Sequence, residues 1–169
     1  MFALVSMKIA IGSDHRGFDI KERIIAFLSS NGHSVTDFGT TNNELPVDYP
    51  DFACSVATAI GNKMYDRGIL ICSTGIGMCI AANKIPGVRA ALCFDGMSSE
   101  ISRRHNDANI MCLSAHFLGE ETIERMVKIW IDTHFDGGRH QRRIEKIFQI
   151  ESSLENGRIS VANTNCHLG

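Results

Sequence analysis

The residues that can do chemistry fall into four short stretches of the chain. In "GILICSTGIGMCIAANK", residues 68–84, an apolar run ends at Cys72 and opens into a small glycine-rich turn ahead of a helical segment. Gly75 and Gly77 let backbone N–H groups point into one concavity, and the helix that follows adds its positive end, so the turn suits an anion. It lacks the GxxxxGK[ST] of a nucleotide-binding loop, and GxGxxG fails because Ile80 stands where the third glycine belongs. A tight strand-to-helix turn without a ligand is the alternative. Cys72 either packs into the sheet as a buried cysteine or faces a crevice, where a helix N-terminus favours the thiolate as base or nucleophile. Cys79, seven residues on, reads as core.

The other three stretches carry the same kind of choice. In "SDHRG", Asp14 followed by His15 can pass protons between substrate oxygens. Ser13 or Asp14 can instead cap the first helix, which leaves His15 without a structural task. In "SRRHNDAN", His105 and Asn106 are suited to sugar hydroxyls, although a solvated helix end and turn, with Asp107, accounts for the same residues. "GGRHQRR" sets Arg139 and Arg143 four residues apart on one helical face, so that two guanidinium groups converge on one phosphate. A charged outer face paired with Glu145 is the alternative there.

Short apolar runs alternating with amphipathic stretches must position these residues. "MKIAIG", "HSVTDFG", "GILIC", "VRAALCF" and "NIMCLS" read as five strands. Helices are expected from Gly17 to Asn31, from about Pro50 to Lys63, over "IGMCIAANK", from about Met97 to Arg104 and from about Glu120 to Thr133. A last helix begins near "GGRHQRRIEKIFQI". The pattern predicts an α/β fold: a doubly wound, Rossmann-like three-layer sandwich with a five-stranded parallel sheet and an extra C-terminal helix. Ligands of such sheets bind beyond the carboxyl ends of the strands, which singles out "SDHRG", "STGIG", "DGMS" and "SAH".

At 169 residues the chain fits one domain, able to bury roughly two-thirds of its unfolded surface. We place that domain at residues 7–150, between a short extension (1–6) and a polar tail (151–169) expected to fray. A 21% charged fraction and a net charge of −2 give no reason to invoke nucleic acid or an anionic membrane. "MFALVS" has no basic segment and is too short for a signal peptide or a membrane span. The six cysteines show no CxxC pair or zinc-ligand spacing, and several lie in apolar runs, a usage that fits a reducing cytoplasm.

Together, "IAIGSDHRGF", "DYP", "GILICSTGIGMCIAANK", "RHNDAN" and "GGRHQRR" resemble, in order, the type B ribose-5-phosphate isomerases, a family that includes the galactose-6-phosphate isomerase subunits. The resemblance covers about Met7 to Ile150. It implies interconversion of ribose 5-phosphate and ribulose 5-phosphate through an enediolate, with no metal and no cofactor. Cys72 matches the family's base, moving a proton from C2 of the aldose to C1. The N–H groups of Ser73, Thr74, Gly75, Ile76 and Gly77, with the Thr74 hydroxyl, match the anion hole. By the same resemblance Asp14 and Asn106 contact the sugar hydroxyls, His105 opens the furanose ring, and His15, Arg139 and Arg143 bind the phosphate.

The resemblance further implies a homodimer whose site is completed by the second subunit; some members pair dimers into tetramers. His116 stands where many members have an arginine, making phosphate binding weaker or pH-dependent. Relatives that use a glutamate base carry it on the helix after the turn, where this chain has Met78 and Cys79. Two other readings are an isomerase of a six-carbon phosphosugar, such as allose 6-phosphate or galactose 6-phosphate, and a silent phosphosugar-binding domain. Pocket depth separates the first; the joint presence of Cys72, Thr74, Asp14 and His105 opposes the second.

Overall fold

The computed structural model describes residues 6–117 and 119–155. The elements follow in the order β1 (Lys8–Ser13), α1 (Phe18–Ser30), β2 (Ser34–Asp37), α2 (Tyr49–Gly61), β3 (Arg67–Cys72) and α3 (Ile76–Ala82). They continue with β4 (Ala90–Leu92), α4 (Gly96–Asn106), β5 (Ile110–Ser114), α5 (Glu120–Asp132) and α6 (Arg139–Glu155). Contacts divide the chain after Phe135 into two compact units, the first holding the sheet with α1 to α5 and the second holding α6.

All five strands are parallel, in the order β2-β1-β3-β5-β4. Successive side chains of a strand face opposite sides, so each central strand serves two cores. Ile9, Ile11, Ile69, Ile71, Met111 and Leu113 pack with Ile24 and Leu28 of α1 and Val127 and Trp130 of α5. Ala10, Leu70, Cys72, Ile110 and Cys112 face the other way, against Ala53, Val56 and Ile60 of α2 and Met78 of α3. The sheet of the first unit thus lies between two helical layers, the doubly wound α/β arrangement expected from the alternating runs. Each fully buried isoleucine or leucine contributes roughly 1.5–3 kcal/mol. Among the described residues no helix is long and apolar enough to cross a membrane.

Three elements differ from expectation. The run "VRAALCF" pairs only over Ala90–Leu92, because β4 is an edge strand and its outer side is taken by an amide. Asn83 Nδ2 donates to the Ala90 carbonyl at 2.9 Å, and the Ala90 N–H donates to Asn83 Oδ1 at 2.9 Å, in place of a sixth strand. α4 extends to Asn106, so His105 and Asn106 form its last turn instead of following it. The helix stops where Asp107 adopts a left-handed conformation (φ 43°), its carboxylate held by Arg89 at 2.9 Å and Arg103 at 2.8 Å.

α6 runs through Glu151 to Glu155, where the tail was expected to fray. Leu154 continues the helical spacing of Ile147 and Ile150, so the apolar pattern of α6 carries on into these residues. Ser153 donates back to the Gln149 carbonyl at 2.8 Å. The rest of the tail, 156–169, and extension residues 1–5 lie outside the described residues.

Candidate active site

Strand order decides where the chain can hold a ligand. β1 lies between β2 and β3, so the connections leaving β1 and β3 run in opposite directions and open a crevice at their carboxyl ends. Asp14 follows the end of β1 and Cys72 ends β3, on either side of that crevice. The Asp14 N–H donates to the Ile71 carbonyl at 3.2 Å, and Gly17 comes so close that a Cβ there would stand 2.7 Å from the same oxygen.

On its other flank β3 is tied to the β5 loop. The Ala115 N–H donates to the Cys72 carbonyl at 2.9 Å and the His116 N–H to that of Ser73 at 3.2 Å. Ser114, buried, donates its hydroxyl to the Ser73 carbonyl at 2.7 Å and accepts the N–H groups of His116 (3.1 Å) and Phe117 (3.0 Å). The His116 ring is exposed and meets Phe117 edge-on, with centroids 5.4 Å apart.

Cys72 lies on the α2/α3 side of β3, 5% exposed, and its sulfur accepts the Gly75 N–H at 3.1 Å. It both packs into the core and faces the glycine turn. Gly75 makes that turn possible with a left-handed backbone (φ 75°) at the N-cap of α3. The Ile76 N–H donates to Thr74 Oγ1 at 3.3 Å, whereas the N–H groups of Ser73, Thr74 and Gly77 have no acceptor among the described residues. α3 has only 7 residues, so discrete N–H groups rather than a long helix dipole make this turn an anion cradle.

Asp14 shapes the turn into α1 without capping the helix: its Oδ1 accepts the N–H groups of Arg16 at 2.9 Å and Gly17 at 3.0 Å, both ahead of Phe18, and the N-cap is Gly17. Oδ2 accepts nothing among the described residues. His15, expected to lack a structural task, has one. Its Nδ1 accepts the Val47 N–H at 3.2 Å, pinning the loop between β2 and α2 and placing the proton of the neutral ring on Nε2. Tyr49 is the residue that sequence reasoning missed. Its ring lies over the turn, where a Cβ on Gly77 would stand 2.6 Å from Tyr49 Cζ. The motif "DYP" was the available signal, but nothing in its spacing assigned the tyrosine a task.

The remaining residues are not all brought to this crevice within one chain. A helix joining two parallel strands runs back along the sheet, so the last turn of α4 ends beside the start of β4. There Arg89 Nε donates to the Asn106 carbonyl at 3.1 Å. His105 and Asn106 therefore sit at the opposite end of the sheet from Cys72, separated by roughly 15 Å, the length of β5 at about 3.3 Å per residue. Arg139 and Arg143 lie in the second unit, exposed and one turn apart on α6. Glu145 accepts from Gln141 at 3.2 Å, and neither arginine has an ion-pair partner among the described residues.

The family described as Ribose/Galactose Isomerase matches residues 9–147. The chain belongs to that family. Ribose-5-phosphate isomerase B of Escherichia coli (strain K12) is 44% identical over 144 residues, which cover 85% of this chain and 96% of that protein. The solved structure of Clostridium thermocellum ribose-5-phosphate isomerase B is similar with a TM-score of 0.86 at 49% identity, covering 88% of this chain and 99% of that one. D-erythrulose-4-phosphate isomerase of Pectobacterium atrosepticum is 42% identical over 146 residues, or 86% of this chain and 95% of that protein.

Within this Ribose/Galactose Isomerase fold, one cysteine departs from its expected place. Cys79 is half-buried rather than core, resting on the cluster that contains Cys72 and Cys112.

Proposed function

We propose that the protein interconverts D-ribose 5-phosphate and D-ribulose 5-phosphate, with Cys72 as the base. The observation that carries this reading is the Cys72 sulfur beside the glycine turn at the end of β3, with Asp14 at the end of neighbouring β1, its N–H on the Ile71 carbonyl and one carboxylate oxygen without a partner among the described residues. Moving a carbonyl between C1 and C2 removes a proton from carbon next to a carbonyl, and the enediolate's charge must be held as it forms. Cys72 takes the proton from C2 and returns it to C1. The N–H groups of Ser73, Thr74 and Gly77, with the Thr74 hydroxyl, hold the oxyanion, and the open Asp14 oxygen receives a sugar hydroxyl. His15 offers its Nε2–H to the phosphate, alongside Arg139 and Arg143. His116 adds a weaker contact than an arginine would, because an imidazole lacks the guanidinium fork.

Purified protein should turn over ribose 5-phosphate in the presence of a chelator and incorporate solvent deuterium at C2 of the aldose. Absence of turnover would refute the reading. The assay includes four- and six-carbon phosphosugars, because the Pectobacterium atrosepticum relative is named for a four-carbon one. We expect the pentose to have the highest kcat/KM.

The working form is a homodimer in the cytoplasm, in which His105 of the partner subunit opens the furanose ring and Asn106 of the partner subunit contacts its hydroxyls. Supporting this are the distance of both residues from Cys72 within a chain and the exposed apolar pairs Ile76/Ile80 on α3 and Met97/Ile101 on α4. Co-expression of Cys72→Ala and His105→Ala chains supplies the test. Each variant alone should be impaired, whereas mixed dimers each contain one intact site, restoring about a quarter of wild-type activity. If purified mixed dimers showed no gain over the two single variants, the composite site would be wrong.

A further inference from the structure

The proposed isomerisation does not use the sulfur chemistry of α3 and β5. Cys79 Sγ donates to the Ala90 carbonyl at 3.4 Å, receives Asn83 Nδ2 at 3.6 Å and packs against the cluster that holds Cys112. Cys112 occupies the middle of β5, fully buried, with its side chain in the cluster against which Cys79 packs. One thiol is therefore partly open to solvent, and the other lies fully buried in the cluster it packs against.

The two differ in reactivity. The Cys112 donor holds the Cys79 thiol down to about 7, with the Leu92 N–H and Asn83 adding to its effect against burial. Burial pushes Cys112 well above the ordinary thiol range and Cys93, on the other face of the sheet, to about 11. The thiolate is the reactive form, so at neutral pH Cys79 is primed to attack an oxidant while its neighbour stays protonated.

We propose that Cys79 is a peroxide-oxidised thiol that closes a disulfide with Cys112 and so slows the enzyme; the slowing, though not the disulfide, rests on the isomerase reading. The Cys79 thiolate attacks one oxygen of hydrogen peroxide, an S–O bond forms, the O–O bond breaks and hydroxide leaves. The sulfur is oxidised to a sulfenic acid as peroxide is reduced. The Cys112 sulfur then attacks that of Cys79, the S–S bond forms, the S–O bond breaks, and the departing hydroxide takes the Cys112 proton as water.

The bond draws α3 toward β5. The Cys79 N–H donates to the Gly75 carbonyl at 3.0 Å, and the Gly75 N–H donates to the Cys72 sulfur at 3.1 Å. A shift at Cys79 is thus passed through one residue to the proposed base.

The test treats the purified protein with hydrogen peroxide, alkylates free thiols, maps unreduced peptides by mass spectrometry and measures ribose 5-phosphate turnover before and after dithiothreitol. A Cys79–Cys112 crosslinked peptide is expected, with a loss of about tenfold or more in turnover that dithiothreitol restores. Cys79→Ala and Cys112→Ala should retain basal turnover, form no crosslink and lose the reversible drop. Alkylation of Cys79 without peroxide should rise with pH to half its maximum near about 7, as the thiolate fraction grows. No crosslink in the wild type, or an undiminished reversible drop in Cys79→Ala, would overturn the proposal. Because the crosslink is read by mass, its absence is distinguishable from a failure of the isomerase assignment.

Discussion

Replacing Cys72 with alanine is expected to lower ribose 5-phosphate turnover by about a thousandfold or more, within the range a positioned general base supplies. The same variant should stop deuterium exchange at C2. Among the described residues, the turn and the helix after it offer no second base. The helix after the turn presents Met78 and Cys79 instead of a carboxylate, and one oxygen of Asp14 is engaged by two N–H groups at the entry to α1. Cys72 is 5% exposed, so truncation also leaves a small void; a cost on the order of 1 kcal/mol leaves the fold intact. Cys72→Ser provides a near-isosteric check, because it fills the space while removing the acidic thiol. Cys79→Ala should keep most of the exchange, since Asn83 retains both of its bonds to Ala90. Equal activity in Cys72→Ala, Cys79→Ala and the parent would place the base elsewhere.

The second large effect is expected at Gly75. An added Cβ would stand 2.6 Å from Leu92 Cδ1 and 3.0 Å from both the carbonyl carbon and oxygen of Leu113. The leucine methyl can rotate away, but the Leu113 backbone belongs to β5 and is fixed by its pairing with Ile71. Adding the left-handed penalty of about 1–2 kcal/mol to overpacking of about 1–3 kcal/mol gives Gly75→Ala a loss of roughly 2–5 kcal/mol in stability. The turn must move to relieve the clash, carrying the Gly75 N–H away from Cys72, and a displacement near 1 Å costs about a hundredfold in turnover. Gly32 offers an internal reference: its φ is +83° and a Cβ there meets nothing within 4 Å. Gly32→Ala should therefore show the conformational penalty alone. Denaturant unfolding of both variants separates the two contributions, and equal losses would remove the steric argument.

The family's local markers were legible because each is carried by contiguous residues. The glycine turn, the Asp–His pair and the arginine pair all appear at the element ends where they were anticipated. Asp14 shows why such signals stayed ambiguous: cap and ligand were posed as alternatives, whereas the carboxylate holds the turn before α1 through one oxygen and keeps the other open. The task of His15 was invisible for a different reason, since its partner Val47 lies 32 residues away in a loop without periodicity. Tyr49 was missed likewise, because its partner Gly77 belongs to a different strand–helix connection.

By itself the sequence determined the α/β class, the five strands, the turn after β3 and the family to which the chain belongs, because periodicity and motif are properties of neighbouring residues. The tertiary structure decided which of those residues meet. The central strands β1, β3 and β5 are apolar on both faces and carry no local label for their neighbours, so only folding sets the order that puts Asp14 beside Cys72. The backward run of α4 likewise sends His105 and Asn106 to the far end of the sheet, and contact between α3 and β5 brings Cys79 against the cluster that holds Cys112. Pairing across a sheet and direction along it depend on contacts between residues distant in the chain, which a local pattern does not encode.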